Sequence, residues 1–304
     1  MEPLHTHGNL NLVVSRTPLG GYRGEIGTLS VNYHSGLPFT SWDKEDLKNL
    51  AQLTQKVLRI HENHQIHNTL IYGKQNSNGF TVEFVPYPKC DWKEKIQGAF
   101  HAVFGGASLS DNELDAITAF YQSQNDFSEA EETESEEGED FSELKPLVDK
   151  PDPFCRPEVI NRQQVESRET LRGNYDILCD NCPKGASQSD PHILIVPEGA
   201  TGHIDGSEVS IEMRTEMLQM VQQAMQVFLE EGYTTLLYLE RNGEKLQGVK
   251  HKHSHAIGIE KFPETFCAKL MSFFRLAWPA KLSETDLKDR VQHYKLKLEA
   301  SKED

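Results

Sequence analysis

Two stretches on either side of an acidic run carry the same pattern, and a repeat of this kind constrains the fold more than any single motif. LSDNELDAITAFY at 109–121 matches LSETDLKDRVQHY at 282–294, with Leu, Ser, two acids, Leu and Tyr at the same relative places. Upstream, Thr69-Leu70-Ile71-Tyr72 echoes Thr235-Leu236-Leu237-Tyr238. Each echo follows a helix-like stretch and precedes a Gly-containing turn. The chain reads as a tandem duplication, which suits 304 residues better than one hydrophobic core would.

Both copies give the same coarse element order. In the first, the strand-like LSVNY leads to a helix after Ser41, where Leu47, Leu50, Ala51, Thr54, Val57 and Leu58 share one face. The strands NTLIY and FTVEFV follow, separated by a turn at 76–79. In the second, HILIVP precedes a helix from about Ser210, with Met217, Val221, Ala224 and Phe228 facing inward and a stop near Gly232. YTTLLYLE and HKHSHAIGI are its next strands, and 91–125 and 264–300 read as further helices. Consecutive strands after a helix predict an α+β fold, an antiparallel sheet with helices on one side.

Asp126 to Asp140 reads DFSEAEETESEEGED, which cannot bury enough apolar surface to offset its ordering entropy. The expected division is therefore a first domain at 1–125, an acidic disordered linker at 126–169 and a second domain at 170–304. The tract is open to two readings, a solvated spacer or a phosphoacceptor and protein-docking segment, since Ser128, Ser135 and Ser142 each precede acids. A net charge of -16 argues against a nucleic acid polymer or an anionic membrane as partner, though a single nucleotide in a pocket is compatible with it. No apolar run is long enough for a membrane span, and MEPLHTHGNLNL lacks the regions of a signal peptide. Five cysteines, an odd number, do not read as a disulfide framework, so a reducing, cytoplasmic compartment is expected.

Chemistry concentrates in the second copy. His251, His253 and His255 alternate with Lys252 and Ser254 in what reads as a strand, which projects three imidazoles from one face. A neutral imidazole is a nucleophile, a proton carrier near pH 7 and a zinc ligand. VKHKHSH could also be a solvated edge strand, but strict alternation of three histidines favours a site. Cys179-Asp180-Asn181-Cys182 offers two thiolates on one turn, half of a tetrahedral zinc site, with His203 and His251 as candidates to complete it. His192 is a rival ligand or a core histidine, and a redox pair lacks the strand-to-helix context it needs.

From HILIVPEGATGH to TLLYLERNGEKLQGVKHKHSHAIGI, the chain resembles the histidine triad superfamily of nucleotidyl hydrolases and transferases, over roughly residues 175–262. The resemblance implies that His253 attacks the α-phosphorus of a nucleotide derivative and forms a covalent nucleotidyl-histidine, with His251 and His255 positioning it and helping proton transfer. It implies a structural zinc on Cys179, Cys182, His203 and His251, and substrate contacts from Asn242 and Gln247. Two triad folds in one chain resemble the plan of the galactose-1-phosphate uridylyltransferase branch, here with the active copy second and the two copies forming a pseudo-dimer within the chain. A histidine at the third triad place, His255, favours hydrolysis over transfer in that resemblance. The expected activity is nucleotide hydrolysis, with nucleotidyl transfer, phosphorolysis or non-enzymatic nucleotide binding as alternatives.

The chain also departs from the family pattern. Lys252 and Ser254 replace apolar residues, so the back of the triad strand is expected to face water or the other copy. The short spacer between the CxxC pair and His203 implies a missing strand, and with it a missing acidic ribose contact. In the first copy, Gly79, Thr81 and Glu83 occupy the triad places and cannot do the chemistry.

Overall fold

Antiparallel pairing of two eight-residue strands, β4 (Thr69–Asn76) and β9 (Thr235–Asn242), joins the halves of the chain into one ten-stranded sheet. The computed structural model describes residues 3–19, 26–77, 79–124, 152–198, 206–249, 251–260, 264–277 and 279–301. The first half supplies β1 (His5–His7), β2 (Leu10–Val14), β3 (Leu29–Tyr33) and β5 (Gly79–Pro86) besides β4. The second supplies β6 (Gln164–Thr170), β7 (Gly173–Cys179), β8 (His192–Pro197) and β10 (Ser254–Ile259) besides β9. Across the sheet the order is β1-β2-β3-β5-β4-β9-β10-β8-β7-β6, so that, read from each edge inward, the two halves have the same strand order. Two separate sheets would each have presented an open edge of unpaired backbone groups at β4 or β9; the shared ladder removes both.

Helices α1 (Lys44–Asn63) and α5 (Ile211–Glu230) form where the periodicity predicts them, and their starts are fixed by side-chain caps. Asp43 and Asp46 make a capping box on α1, and the Ser210 hydroxyl accepts from the amide of Met213 on α5. The matched motifs form α3 (Asp111–Gln122) and α7 (Glu284–Ala300), capped by Ser110 and Ser283, with Leu109, Leu114 and Tyr121 buried in one and Leu282, Leu287 and Tyr294 in the other. All four belong to one continuous core that runs along one face of the whole sheet.

Several expectations are corrected. Ordered structure in the second half begins well before residue 170: Pro153–Cys155 forms a short helical turn, and α4 (Pro157–Gln163) leads directly into β6. The acidic character stops short of this segment, and Val165 is buried in the main core. The tract at 126–140 lies outside the described residues. In the spacer between the CxxC pair and His203, β8 is the one strand among the described residues, and β7, which the sequence reading did not anticipate, ends at Cys179 ahead of it. Helices also cover both faces of the sheet, because α2 (Trp92–Phe104) and α6 (Phe266–Ala277) pair through Phe100–Phe273 and Phe104–Phe266 ring contacts and lie over the opposite face. That face carries its own apolar cluster of Tyr72, Leu237, Leu239, Ile257 and Ile259. Among the described residues no helix is long and apolar enough to cross a membrane.

Register places Glu83 of β5 opposite Tyr72, as it places His255 of β10 opposite Leu239. Burial raises the Glu83 carboxyl to about 7, against the opposing effects of the Ser15 hydroxyl, which donates to it at 2.8 Å, and the Leu19 backbone. A carboxyl raised on folding lends relative stability that is complete below its unfolded value and is lost as pH rises through about 7. Glu83→Gln is therefore expected to be more stable than wild type by about 1–3 kcal/mol at pH 8, with the difference vanishing near pH 4. Thermal denaturation at the two pH values checks this.

Candidate functional site

Alternation along β8 and β10 decides which side chains meet. Ile193 and Ile195 enter the main core, so His192 and Leu194 face the other way; Ala256 enters that core, so His255 faces with them. The two imidazoles meet at 2.8 Å between His192 Nε2 and His255 Nδ1. Behind them, at the end of β7, Asp180 Oδ2 lies 3.0 Å from His192 Nδ1. Burial raises the Asp180 carboxyl, but His192 and Lys184 outweigh it and hold the group at about 2. The Lys184 backbone N–H also addresses His192 Nδ1, at 3.2 Å, and one proton is shared between His192 Nε2 and His255 Nδ1. His255 Nε2 is a buried atom with no hydrogen-bond partner among the described residues. Burial keeps both imidazoles neutral, lowering His192 and pushing His255 well below its ordinary value.

Only His255 of the three triad histidines is in the strand, since β10 begins at Ser254. His253 precedes it, with its ring 4.6 Å from that of His255 and 5.4 Å from that of Phe154. Its Nδ1 is 2.8 Å from the His251 carbonyl oxygen. A carbonyl can only accept, so Nδ1 carries the proton and Nε2 keeps a lone pair. Burial lowers His253 to about 3, with Lys184 and Arg241 adding to the effect, so the ring is neutral at neutral pH. It lines a cavity of about 230 Å³ with Phe154, Leu194, Asp180, Lys184 and Arg241. Burial lowers the Lys184 ammonium to about 8, assisted by Arg241. Neither cation has a side-chain hydrogen bond or ion pair among the described residues.

Lys252 does not face water. It is fully buried on the α5 side of the sheet, 2.8 Å from Glu240 and bonded to Asn242 Oδ1. Glu240 also receives Arg214 of α5 and, at 2.8 Å, the Tyr238 hydroxyl. Burial alone would raise Glu240, but the two cations hold it well below the usual carboxylate range. Asn242, expected at the substrate, is thus engaged on the far side of the sheet, and its neighbour Arg241 faces the cavity instead. Gln247 is buried in the wall of a larger cavity next to this one.

The predicted zinc set is not brought together. Cys179 sits in the main core opposite Ile193, where burial pushes its thiol up to about 12, whereas Cys182 lines the cavity that holds His253. Strand alternation and the turn that follows send the two sulfurs to different faces. His203 lies outside the described residues. His251 instead meets Asp152 Oδ2 at 3.2 Å and Cys155 Sγ at 4.0 Å, while its Nε2 donates to the Pro197 carbonyl. Asp152, Cys155 and His251 form one of two groups of three potential ligands within 4.8 Å among the described residues; Asp180, His192 and His255 form the other. Asp152 and Cys155 were hidden by assigning 126–169 to the linker. The signal available was Asp152-Pro153-Phe154-Cys155, a ligand pair at zinc spacing followed by Pro157 at the start of a helix. Asp180 lay inside the CxxC motif itself.

No protein-family model matches the sequence, and no curated protein matches it. Solved structures do match in fold. A uridylyltransferase mutant superposes with a TM-score of 0.53 at 9% identity, covering 97% of this chain and 90% of that one. An ADP-glucose phosphorylase from Arabidopsis thaliana with bound ADP-glucose gives 0.54 at 9%, covering 94% and 80%, and a galt-like protein from the same plant gives 0.54 at 8%, covering 93% and 83%. At these identities the likeness establishes a shared fold, that of uridylyltransferases.

The buried network generates a stability test. Replacing Glu240 by Gln leaves Arg214 and Lys252 without their shared carboxylate, and removing one partner of a buried ionic group costs about 3–5 kcal/mol. Glu240→Gln is expected to lose that much in urea denaturation.

Proposed function

We propose that the second half of the chain transfers a nucleotidyl group through a covalent bond to His253. The observation that carries this reading is the fixed tautomer: His253 donates from Nδ1 to the His251 carbonyl and is neutral, which leaves Nε2 nucleophilic inside a cavity beside two unpaired cations. Electrostatic stabilisation of charge developing on phosphate oxygens falls to Lys184 and Arg241. The row Asp180–His192–His255 holds the neighbouring imidazole in one orientation, in the manner of a carboxylate orienting a base. Apolar walls from Phe154, Val159 and Leu194 suit a nucleobase. The uridylyltransferases and the ADP-glucose phosphorylase that share the fold support nucleotidyl transfer or phosphorolysis more directly than hydrolysis. In this reading the two halves descend from one unit. Their equal strand order supports it, and Thr81 and Glu83 standing at the places of His253 and His255 leave the first half without an imidazole nucleophile.

Zinc in this reading belongs to Asp152, Cys155 and His251 rather than to the CxxC pair. His251 donates from Nε2, so its Nδ1 faces the Asp152 carboxylate and the Cys155 sulfur; the Cys155 thiol donates to Asp152 Oδ2 at 3.0 Å, and loss of that proton to a bound cation would turn the three groups into a ligand set. The metal would fix His251 and, through its carbonyl, the tautomer of His253. Purified protein is expected to hold about one zinc per chain; Cys155→Ser should lose it and Cys179→Ala retain it, as metal analysis of the two variants would read.

Nucleophilic attack predicts a phosphorus–nitrogen bond that is stable to alkali. Alkaline quenching during turnover of a nucleotide ester should trap a nucleoside monophosphate on the peptide containing His253. His253→Ala should abolish adduct and turnover together, and retention of activity within a few-fold would remove the assignment. Adding inorganic phosphate to the same assay separates the fates of the adduct, since phosphorolysis yields a nucleoside diphosphate and hydrolysis a monophosphate.

A further inference from the structure

The cavity at His253 has a second, larger one beside it. That second cavity, of about 640 Å³, lies between the α2–α6 pair and the face of the sheet beneath it. Lys184, Arg241 and Gly248 line both, so the two cations stand between them. The floor of the large cavity is Leu70, Tyr72, Leu237, Leu239 and Ile259 from the two halves of the sheet, and its roof is supplied by Ala99, Ala102 and Val103 of α2 and Phe273 of α6. Besides Lys184 and Arg241, its polar lining includes Lys95, Lys245, Gln247 and Ser272. Trp92 and Ile96, at 67% and 40% exposure, stand at the rim on the solvent side.

A ligand spanning both cavities would place one anionic group at Lys184 and Arg241 and an apolar body beyond it. Against the floor and roof, sugar hydroxyls would lose their water without gaining partners, whereas alkyl or aryl groups would bury surface at no polar cost. We propose that the large cavity receives the leaving group of the reaction at His253, and that this leaving group is a phosphate bearing an alkyl or aryl body. The inference rests on nucleotidyl transfer at His253. In the step it implies, a bond forms between His253 Nε2 and the α-phosphorus. The bond between the α-phosphorus and the bridging oxygen breaks, and its electron pair departs on that oxygen with the leaving phosphate, whose charge faces Lys184 and Arg241. No proton is required by that phosphate, and the Nδ1 proton of His253 stays on the hydrogen bond to the His251 carbonyl. Arg241 and Lys184 thereby set the class of leaving group as well as holding the phosphates.

The test uses the full chain and three leaving-group halves: decyl phosphate, 1-naphthyl phosphate and glucose 1-phosphate, measured by equilibrium titration. At least one apolar phosphate is expected to bind tenfold or more tightly than glucose 1-phosphate, and the better of the two assigns an alkyl or an aryl body. Ala99→Trp, which fills the cavity from α2, should weaken the apolar phosphates at least fivefold and leave glucose 1-phosphate within twofold; Ala102→Phe serves the same purpose if the first variant does not fold. Arg241→Gln should weaken all three. Equal or tighter binding of glucose 1-phosphate, or apolar binding untouched by both cavity-filling variants, overturns the proposal. The alkali-stable adduct at His253, formed from a nucleoside 5′-phosphate p-nitrophenyl ester, reports the catalytic reading separately. Adduct without apolar binding removes the leaving-group assignment alone. Apolar binding without adduct removes the catalytic reading, and with it the role of the cavity in a transfer step.

Discussion

Everything in this molecule hangs on the ladder between β4 and β9. It pairs Thr69 with Asn242 and Gln75 with Leu236, and so converts two five-stranded halves into one sheet with a single continuous core on one face. Without it, each half would expose a central strand, and the floor shared by Leu70, Tyr72, Leu237 and Leu239 would be divided between two surfaces. The candidate site depends on the same ladder. Arg241 lies within the paired stretch, opposite Leu70, and its backbone position is fixed by the first half of the chain although its side chain serves the second.

The sheet separates two kinds of polar chemistry. On the α5 side, Glu240 gathers Arg214, Lys252 and the Tyr238 hydroxyl into a closed network in which the charges are paired, and its role is to hold α5, β9 and the approach to β10 in register. On the other side, His192, His255 and Asp180 form a row whose last nitrogen has no partner, and Lys184 and Arg241 face open space. Lys252 and His253 are consecutive residues on opposite sides of this divide. Paired charges stabilise a structure, whereas unpaired groups around a cavity are available to a ligand; the same strand carries both.

How much of this could be read from the chain depends on how local the determinant was. Helix starts at Asp43, Ser210, Ser110 and Ser283, the inward faces of α1 and α5, and the strands flanking them were legible, because caps and periodicity act within a few residues. The alternation of His251, His253 and His255 was equally plain, although only His255 is in a strand: the rings of His253 and His255 lie 4.6 Å apart, whereas His251 groups with Asp152 and Cys155. β1, β2, β6 and β7 were missed because their polarity is mixed, β1 has only three residues and β6 falls in the stretch assigned to the linker.

What only the tertiary structure decided was which face each residue takes and which distant segment arrives there. The echo between Thr69–Tyr72 and Thr235–Tyr238 is out of step by one residue in space: Ile71 enters the main core while Leu237 faces away, and Tyr238 enters it while Tyr72 does not. A shift of one reverses every side chain of a strand. The same rule separated Cys179 from Cys182 and turned Asn242 from the site while presenting Arg241. Asp152 and Cys155 reach His251 from nearly a hundred residues away in the sequence, a contact set by the sheet order and by no pattern in the residues themselves. The sequence by itself determined the capped helices, the strands flanking them and the alternation of the histidines, since these follow from short-range backbone and side-chain preferences. Partners of those histidines were decided by strand register and by the β4–β9 ladder, which are properties of the assembled sheet.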